Sequence, residues 1–337
     1  MPYRHPPVIR VAGLIAATLL VAYPSSSLAR GKKFDAAQVL KELGFPDDAR
    51  AKLEAGQIVK TTVKSSNERE LTAAMAFLVK VPPKQLVDKL QSGLLISVDE
   101  NTIKYGSING KISDLSGLTL APDADKRAKG YTNAKAGSDL NLSEAEIRAF
   151  NTLEGKPLAA VEEQVRTSVF ARYQAYKAKG LDGIAPYARS GGKSRDAAGD
   201  LRSASKASVA LEKHVPDFYK LLNDYPAGTK PSTEAFHWTT YKAHGEPVIL
   251  LTHAFSMAEG EAIAVCQRQF YVSSSYNVEQ AVAIFLPVSK GTLVVYANRT
   301  STDQVAGFGG GAKRSMGGRI LASQLESLFE DLQKAAP

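Results

Sequence analysis

The chain has 337 residues, 44% hydrophobic and 23% charged, a composition that can bury a core and excludes a disordered protein. The net charge of +8 is spread without a dense Lys/Arg cluster. No nucleic-acid partner is therefore expected, and the mild basicity suits transient contact with an anionic membrane surface or an acidic ligand. Cys266 is the only cysteine, which excludes an intrachain disulfide; in its apolar, strand-like run it reads as a buried, inert thiol.

Residues 1–29 have the order of a secretory signal peptide. Arg4, His5 and Arg10 precede the apolar run Val11–Ala22, Pro24 and three serines break it, and Ser27-Leu28-Ala29 puts small residues at the −3 and −1 positions of a cut before Arg30. The run is shorter than the roughly 18 apolar residues a membrane-spanning helix needs. A periplasmic or secreted location is expected.

Residues 30–93 begin with two short helices. Asp35 is a plausible N-cap for one ending at Gly44, and the other runs from Asp47 to Ala55. Strands over Ile58–Ser65 and Glu70–Val81 follow, the second feeding Pro82-Pro83 and a helix with Leu86, Val87 and Leu90 on one face; proline in a first helical turn loses no hydrogen bond. Residues 94–233 read as a mostly helical insertion with a short strand near Ile103–Tyr105. Ser143-Glu144-Ala145-Glu146 is a capping box. Leu158, Val161, Val165, Val169 and Tyr173 form one stripe of a helix over 157–179. Ser190–Arg195 reads as a linker or loop, followed by helices near 195–213 and from Pro216.

Residues 234–337 carry five strands in succession, Glu234–Ala243, Pro247–Met257, Ala262–Ser273, Val278–Val288 and Gly291–Thr300. Their short, turn-rich connections specify an antiparallel meander. The run Gly307-Phe308-Gly309-Gly310-Gly311 then leads to a helix striped by Leu321, Leu325, Leu328 and Leu332. It lacks the second glycine and the hydroxyl of a phosphate-binding loop.

The order of strand, Pro-Pro helix, meander and closing helix Ser323–Lys334 resembles the START-like (SRPBCC, helix-grip) superfamily. The resemblance implies an α+β fold: an antiparallel sheet packed on a long C-terminal helix, enclosing an apolar cavity. The segments Phe236-His237-Trp238, Thr252-His253 and Tyr296-Ala297-Asn298-Arg299-Thr300 also resemble a group of uncharacterised secreted bacterial proteins, which implies a common fold and no activity. The insertion is the departure from the superfamily pattern; it or the glycine run would act as a lid.

The expected function is an exported protein sequestering a lipid or other apolar small molecule, without a cofactor. The alternatives are a cyclase or hydrolase using His253 with Arg268 or a tyrosine, or an envelope interaction module carried by the insertion. Ligand-binding candidates are Trp238, His253, Arg268, Tyr271, Tyr276, Tyr296, Asn298 and Arg299. Aromatics with a polar edge suit a pocket mouth as well as a core. His253, between Leu251 and Phe255, is a core residue or a base. Asn298 and Arg299 either hold a headgroup or carboxylate, or cap the turn into the last helix. Gln267, Arg268 and Gln269 in mid-strand need partners if buried, whereas Glu234, Glu261 and Glu279, near strand ends, read as solvated. His237, His244 and His253 lack metal-site spacing, and no Gly-x-Ser-x-Gly elbow occurs.

Overall fold

The computed structural model describes residues 34–91, 98–243 and 245–336; the leader and His244 lie outside them. Helix α1 (Ala36–Glu42) is capped as expected, the Asp35 carboxylate accepting from the amides of Ala37 and Gln38 at 2.9 and 3.3 Å. Helix α2 (Ala49–Glu54) leads to β1 (Val59–Thr61), which pairs antiparallel with β2 (Glu70–Val79). Strand β1 is shorter than its sequence suggests. Helix α3 (Pro83–Gln91) starts at the prolines.

Strand β3 (Thr102–Ser107) comes from the segment expected to be a helical insertion, yet it joins the main sheet by pairing with β6 (Thr233–Ala243). Between them the chain makes α4 (Ala124–Thr132), α5 (Glu144–Asn151), α6 (Leu158–Lys179), α7 (Ala197–Ala207), α8 (Ala210–His214) and α9 (Pro216–Asp224). The Ser190–Arg195 stretch is no linker. It holds the turn and second strand of a small hairpin, β4 (Tyr187–Arg189) with β5 (Lys193–Arg195), where Gly191 and Gly192 take the positive φ values of the turn. In α5 the Ser143 capping box forms, and the Glu146 carboxylate also accepts from Arg172 Nε of α6 at 2.7 Å.

The meander is β7 (Glu246–Glu259), β8 (Ala262–Val272), β9 (Val278–Val288) and β10 (Gly291–Ser301) after β6. Helix α10 (Gly310–Ala335) closes the fold, starting within the glycine run. The sheet is antiparallel throughout, eight strands in the order β1-β2-β10-β9-β8-β7-β6-β3. The last strand thus lies against the second, and Gly291 makes that approach possible. A Cβ there would meet Val79 O at 2.2 Å, and φ is +126°.

Both faces of the sheet are covered. On one, Leu321, Leu325, Phe329 and Leu332 of α10 and Leu86, Val87 and Leu90 of α3 pack on Phe77, Val79, Phe285 and Val294. Each such side chain contributes about 1.5–3 kcal/mol by burial. On the other, Val165, Val169, Tyr173 and Tyr176 of α6 and Phe218, Leu221 and Leu222 of α9 pack on Phe236, Leu251, Phe255 and Phe270. The result is a helix–sheet–helix sandwich of the general helix-grip arrangement, with the helical insertion on the face opposite α10. Helices α4–α9 therefore do not lid the space between sheet and α10.

Candidate functional site

Register decides which side chains meet. Along a strand, alternate residues face opposite sides, and paired residues on neighbouring strands share a side. One row across the α10 face reads His237 (β6), Thr252 (β7), Gln269 (β8), Glu279 (β9) and Thr300 (β10). Five consecutive strands each supply a polar side chain, and all five are buried. The next row is Ala254, Gln267, Ala281 and Asn298. Beyond it come Val265, Ala283, Tyr296 and Met75, then Ile263, Phe285, Val294 and Phe77. The face grades from polar to apolar over these rows.

The polar end is wired together. Tyr276 Oη donates to Gln269 Oε1 at 2.6 Å, and Gln269 Nε2 donates to Glu279 Oε1 at 3.2 Å. Thr300 Oγ1 lies 3.0 Å from Glu279 Oε2 and 2.8 Å from Asn298 Oδ1, while Asn298 Nδ2 donates to Tyr296 Oη at 3.2 Å. One hydroxyl has one proton. A protonated Glu279 donating to Thr300, which donates to Asn298, satisfies the chain. Burial favours that state, pushing the Glu279 carboxyl up to about 8 against the opposing hydrogen bonds from Thr300 and Asn298. The Thr252 hydroxyl, 2% exposed and beside Gln269, has no hydrogen-bond partner among the described residues. An unsatisfied buried hydroxyl is costly and calls for a reason.

The apolar end holds a cavity of ≈ 40 Å³. Its walls are Phe77 and Val294 from the sheet, Leu86 and Leu90 from α3, and Phe329 and Leu332 from α10. Gln267 and Tyr296 also line it, so it borders the polar rows. Phe329 stacks on Phe77 with centroids 4.6 Å apart and meets Tyr296 edge-on at 4.8 Å.

Of the eight sequence-derived candidates, Tyr276, Tyr296 and Asn298 belong to this face. The other five face the insertion. Trp238 donates from Nε1 to Asp114 O at 3.0 Å and packs on Gly106, where a Cβ would lie 2.6 Å from that nitrogen. Tyr271 lies under the Arg172 guanidinium, 4.3 Å from ring centroid to Cζ. Arg299 points away from the turn into α10, toward the insertion face. It is buried against Glu70 at 2.7 Å and reaches Ala207 O near the end of α7.

His253 and Arg268 share a row with Phe236, Gln280 and Arg299. Arg268 spends its donors on Gln280 Oε1 (2.9 Å), Tyr176 Oη (3.2 Å), Ser205 Oγ (3.2 Å) and Leu222 O (2.6 Å), tying α6, α7 and α9 to the sheet. His253 stands 3.0 Å from Tyr176 Oη by Nδ1 and 3.1 Å from Glu234 Oε1 by Nε2. Burial pushes it down to about 4, although Glu234 opposes this, so it is neutral at pH 7. Tyr176 then donates to Nδ1 and Nε2 donates to Glu234. His253 and Arg268 do converge on Tyr176, but Tyr176 stacks on Phe270 at 4.0 Å and His253 on Phe236 at 4.4 Å, which leaves substrate no room between them. Glu234 and Phe236 line a pocket of ≈ 290 Å³ at the sheet edge, together with Lys177 and His237.

Sequence reasoning missed Glu279. It was expected to be solvated and is 1% exposed, because its neighbours Gln269 and Thr300 lie ten and twenty-one residues away on flanking strands. Glu261 is exposed as expected, and Cys266 is buried, its thiol pushed up to about 12 by burial. Among the described residues no group of three His, Cys, Asp or Glu is placed to hold a metal, and no helix is long and apolar enough to cross a membrane. Comparison with protein-family models, curated proteins and solved structures finds no match to the chain.

Proposed function

We propose that the chain is an exported binding protein of the START-like helix-grip type, which shelters a small amphipathic, lipid-like molecule between the sheet and α10. The observation that carries this reading is the continuity of the α10 face: an apolar cavity walled by Phe77, Leu86, Phe285, Phe329 and Leu332 borders a buried polar row through Gln267 and Tyr296. The apolar tail is desolvated by the walls, and the Gln269–Glu279–Thr300 row orients the head.

A ligand pocket of about 300 Å³ or more is usual for a drug-sized molecule, and the space here is ≈ 40 Å³. Uptake on this reading requires α3 and α10 to part from the sheet, exchanging contacts with Leu86, Leu90 and Phe329 for contacts with the ligand. Delivery from an anionic membrane surface fits the net charge, +8 for the whole chain and +6 once Arg4 and Arg10 leave with the leader.

The test is to isolate the chain from the envelope fraction of its host, extract it with organic solvent and identify what leaves by mass spectrometry. A single class of amphiphile in near-equimolar amount supports the reading, as does an N-terminus at Arg30. An empty protein that also refuses decanol overturns it.

A further inference from the structure

We propose that the polar row receives an ammonium group and that Glu279 is its counter-ion, so that the ligand is a cationic amphiphile. This rests on the binding reading above. On the insertion face the buried Glu70 and Asp200 and the partly buried Glu146 each have a cation: Glu70 has Arg299 at 2.7 Å, Asp200 has Arg195 at 2.9 Å, and Glu146 has Arg172. Glu279 is as deeply buried as any of them, and its hydrogen-bond partners are the neutral Gln269 amide and Thr300 hydroxyl. Among the described residues no Lys or Arg lines the adjoining cavity.

The surroundings of Glu279 carry the point further. Strand β8 presents Gln267 and Gln269, β10 presents Tyr296, Asn298 and Thr300, and β7 presents Thr252. The packed sides of α3 and α10 are apolar. Tyr241, Tyr276 and Tyr296 are close enough that, after burial, the Glu279 charge is a further cause raising their hydroxyls. Asp99, itself buried, adds a second acid beside Tyr241. The one basic side chain of the row, His237, lies three strand spacings from Glu279, about 14 Å. A carboxylate head would meet a carboxyl and no cation. An ammonium head meets a carboxylate, tyrosine rings that attract cations, and the unpartnered Thr252 hydroxyl as a further acceptor.

The exchange balances simply. With no ligand cation the carboxyl keeps its proton; as the ammonium docks, the O–H bond breaks, the proton leaves to solvent, and the carboxylate accepts from the ammonium. Binding therefore releases one proton below pH 8 and tightens as pH rises to about 8.

Titration calorimetry with decylammonium, decanoate and decanol at pH 6, 7 and 8 tests this on the whole chain and on Glu279→Gln and Thr252→Val. The expected result is decylammonium affinity rising about tenfold per pH unit, with heats that depend on the buffer's own ionisation. In Glu279→Gln the slope vanishes and decylammonium weakens at least tenfold at pH 8 while decanol binding persists. Should Glu279→Gln not fold, the slope of the unaltered chain and a weakening in Thr252→Val decide. A preference for decanoate or decanol, or a flat pH response, overturns the cation assignment alone. Failure of all three probes to bind overturns the binding reading and this one with it.

Discussion

Glu279 and Gln280 are neighbours on β9 whose side chains serve opposite halves of the molecule: Glu279 accepts from Gln269 on the α10 face, and Gln280 Oε1 accepts from Arg268 Nε at 2.9 Å on the insertion face. The sheet therefore separates a carboxyl lacking a cation from a guanidinium lacking a carboxylate.

The two faces respond oppositely to pH. The Glu279 pKa is raised, so between about 4.5 and 8 the unfolded chain binds fewer protons and stability falls as pH rises, by about 1.4 kcal/mol per unit. The His253 pKa is lowered to about 4, so from 6.5 down to 4 the unfolded chain binds more protons and stability falls as pH drops. The slopes cancel between 4.5 and 6.5. Urea titrations of Glu279→Gln should uncover the His253 slope there and show no loss from pH 6.5 to 8; a loss of the same size in that variant would count against the Glu279 assignment.

Arg268→Met should destabilise the chain by about 3 kcal/mol, because it strands Leu222 O in a dry interior and takes one hydrogen bond each from Gln280 Oε1, which keeps Ser205, and from the Tyr176 hydroxyl, which keeps His253. Chemical denaturation reads the loss. Hydrogen exchange should show α9 loosening first, since Leu222 O is its anchor.

Gly106→Ala places a methyl group 2.6 Å from Trp238 Nε1 and must displace the ring from its bond to Asp114 O. A cost of about 1–3 kcal/mol follows from overpacking. Trp238 is the only tryptophan, so its emission should shift to the red. An unchanged spectrum would show that the ring has not moved.

Phe329→Ala removes the ring that stacks on Phe77 and walls the cavity. It should cost about 3–5 kcal/mol and leave a larger apolar space. Decanol should then bind more tightly than to the unaltered chain, measured by displacement of a fluorescent fatty alcohol. Weaker decanol binding would argue that the tail does not lie there.

Much of this fold is local and therefore legible. The five meander strands fall where Gly and charged turns bracket apolar runs, β9 at its expected bounds, and α6 and α10 follow their stripes. What depends on register was not. Period-two alternation separated Gln267 and Gln269 from Arg268, but only the helices on either side say which set meets α10. Thus five of the eight candidates, Arg268 and Arg299 among them, turned out to brace the insertion. Glu279 looked like a strand-end carboxylate because nothing local reveals that Gln269 and Thr300 flank it. Likewise β3 was expected inside the insertion, since its pairing partner β6 lies more than a hundred residues on.

The pairing of β2 with β10 has a kinetic side. Thr292 Oγ1 donates to Val81 O across 211 residues of chain, so a polypeptide delivered from its N-terminus holds β2 and its apolar side chains without their partner until β10 arrives. At ordinary rates of synthesis that interval is about 10–40 s. Meanwhile β6 to β10 can zip up hairpin by hairpin as they appear. The chain thus has a built-in delay before β2 can be sealed into the sheet by its last strand.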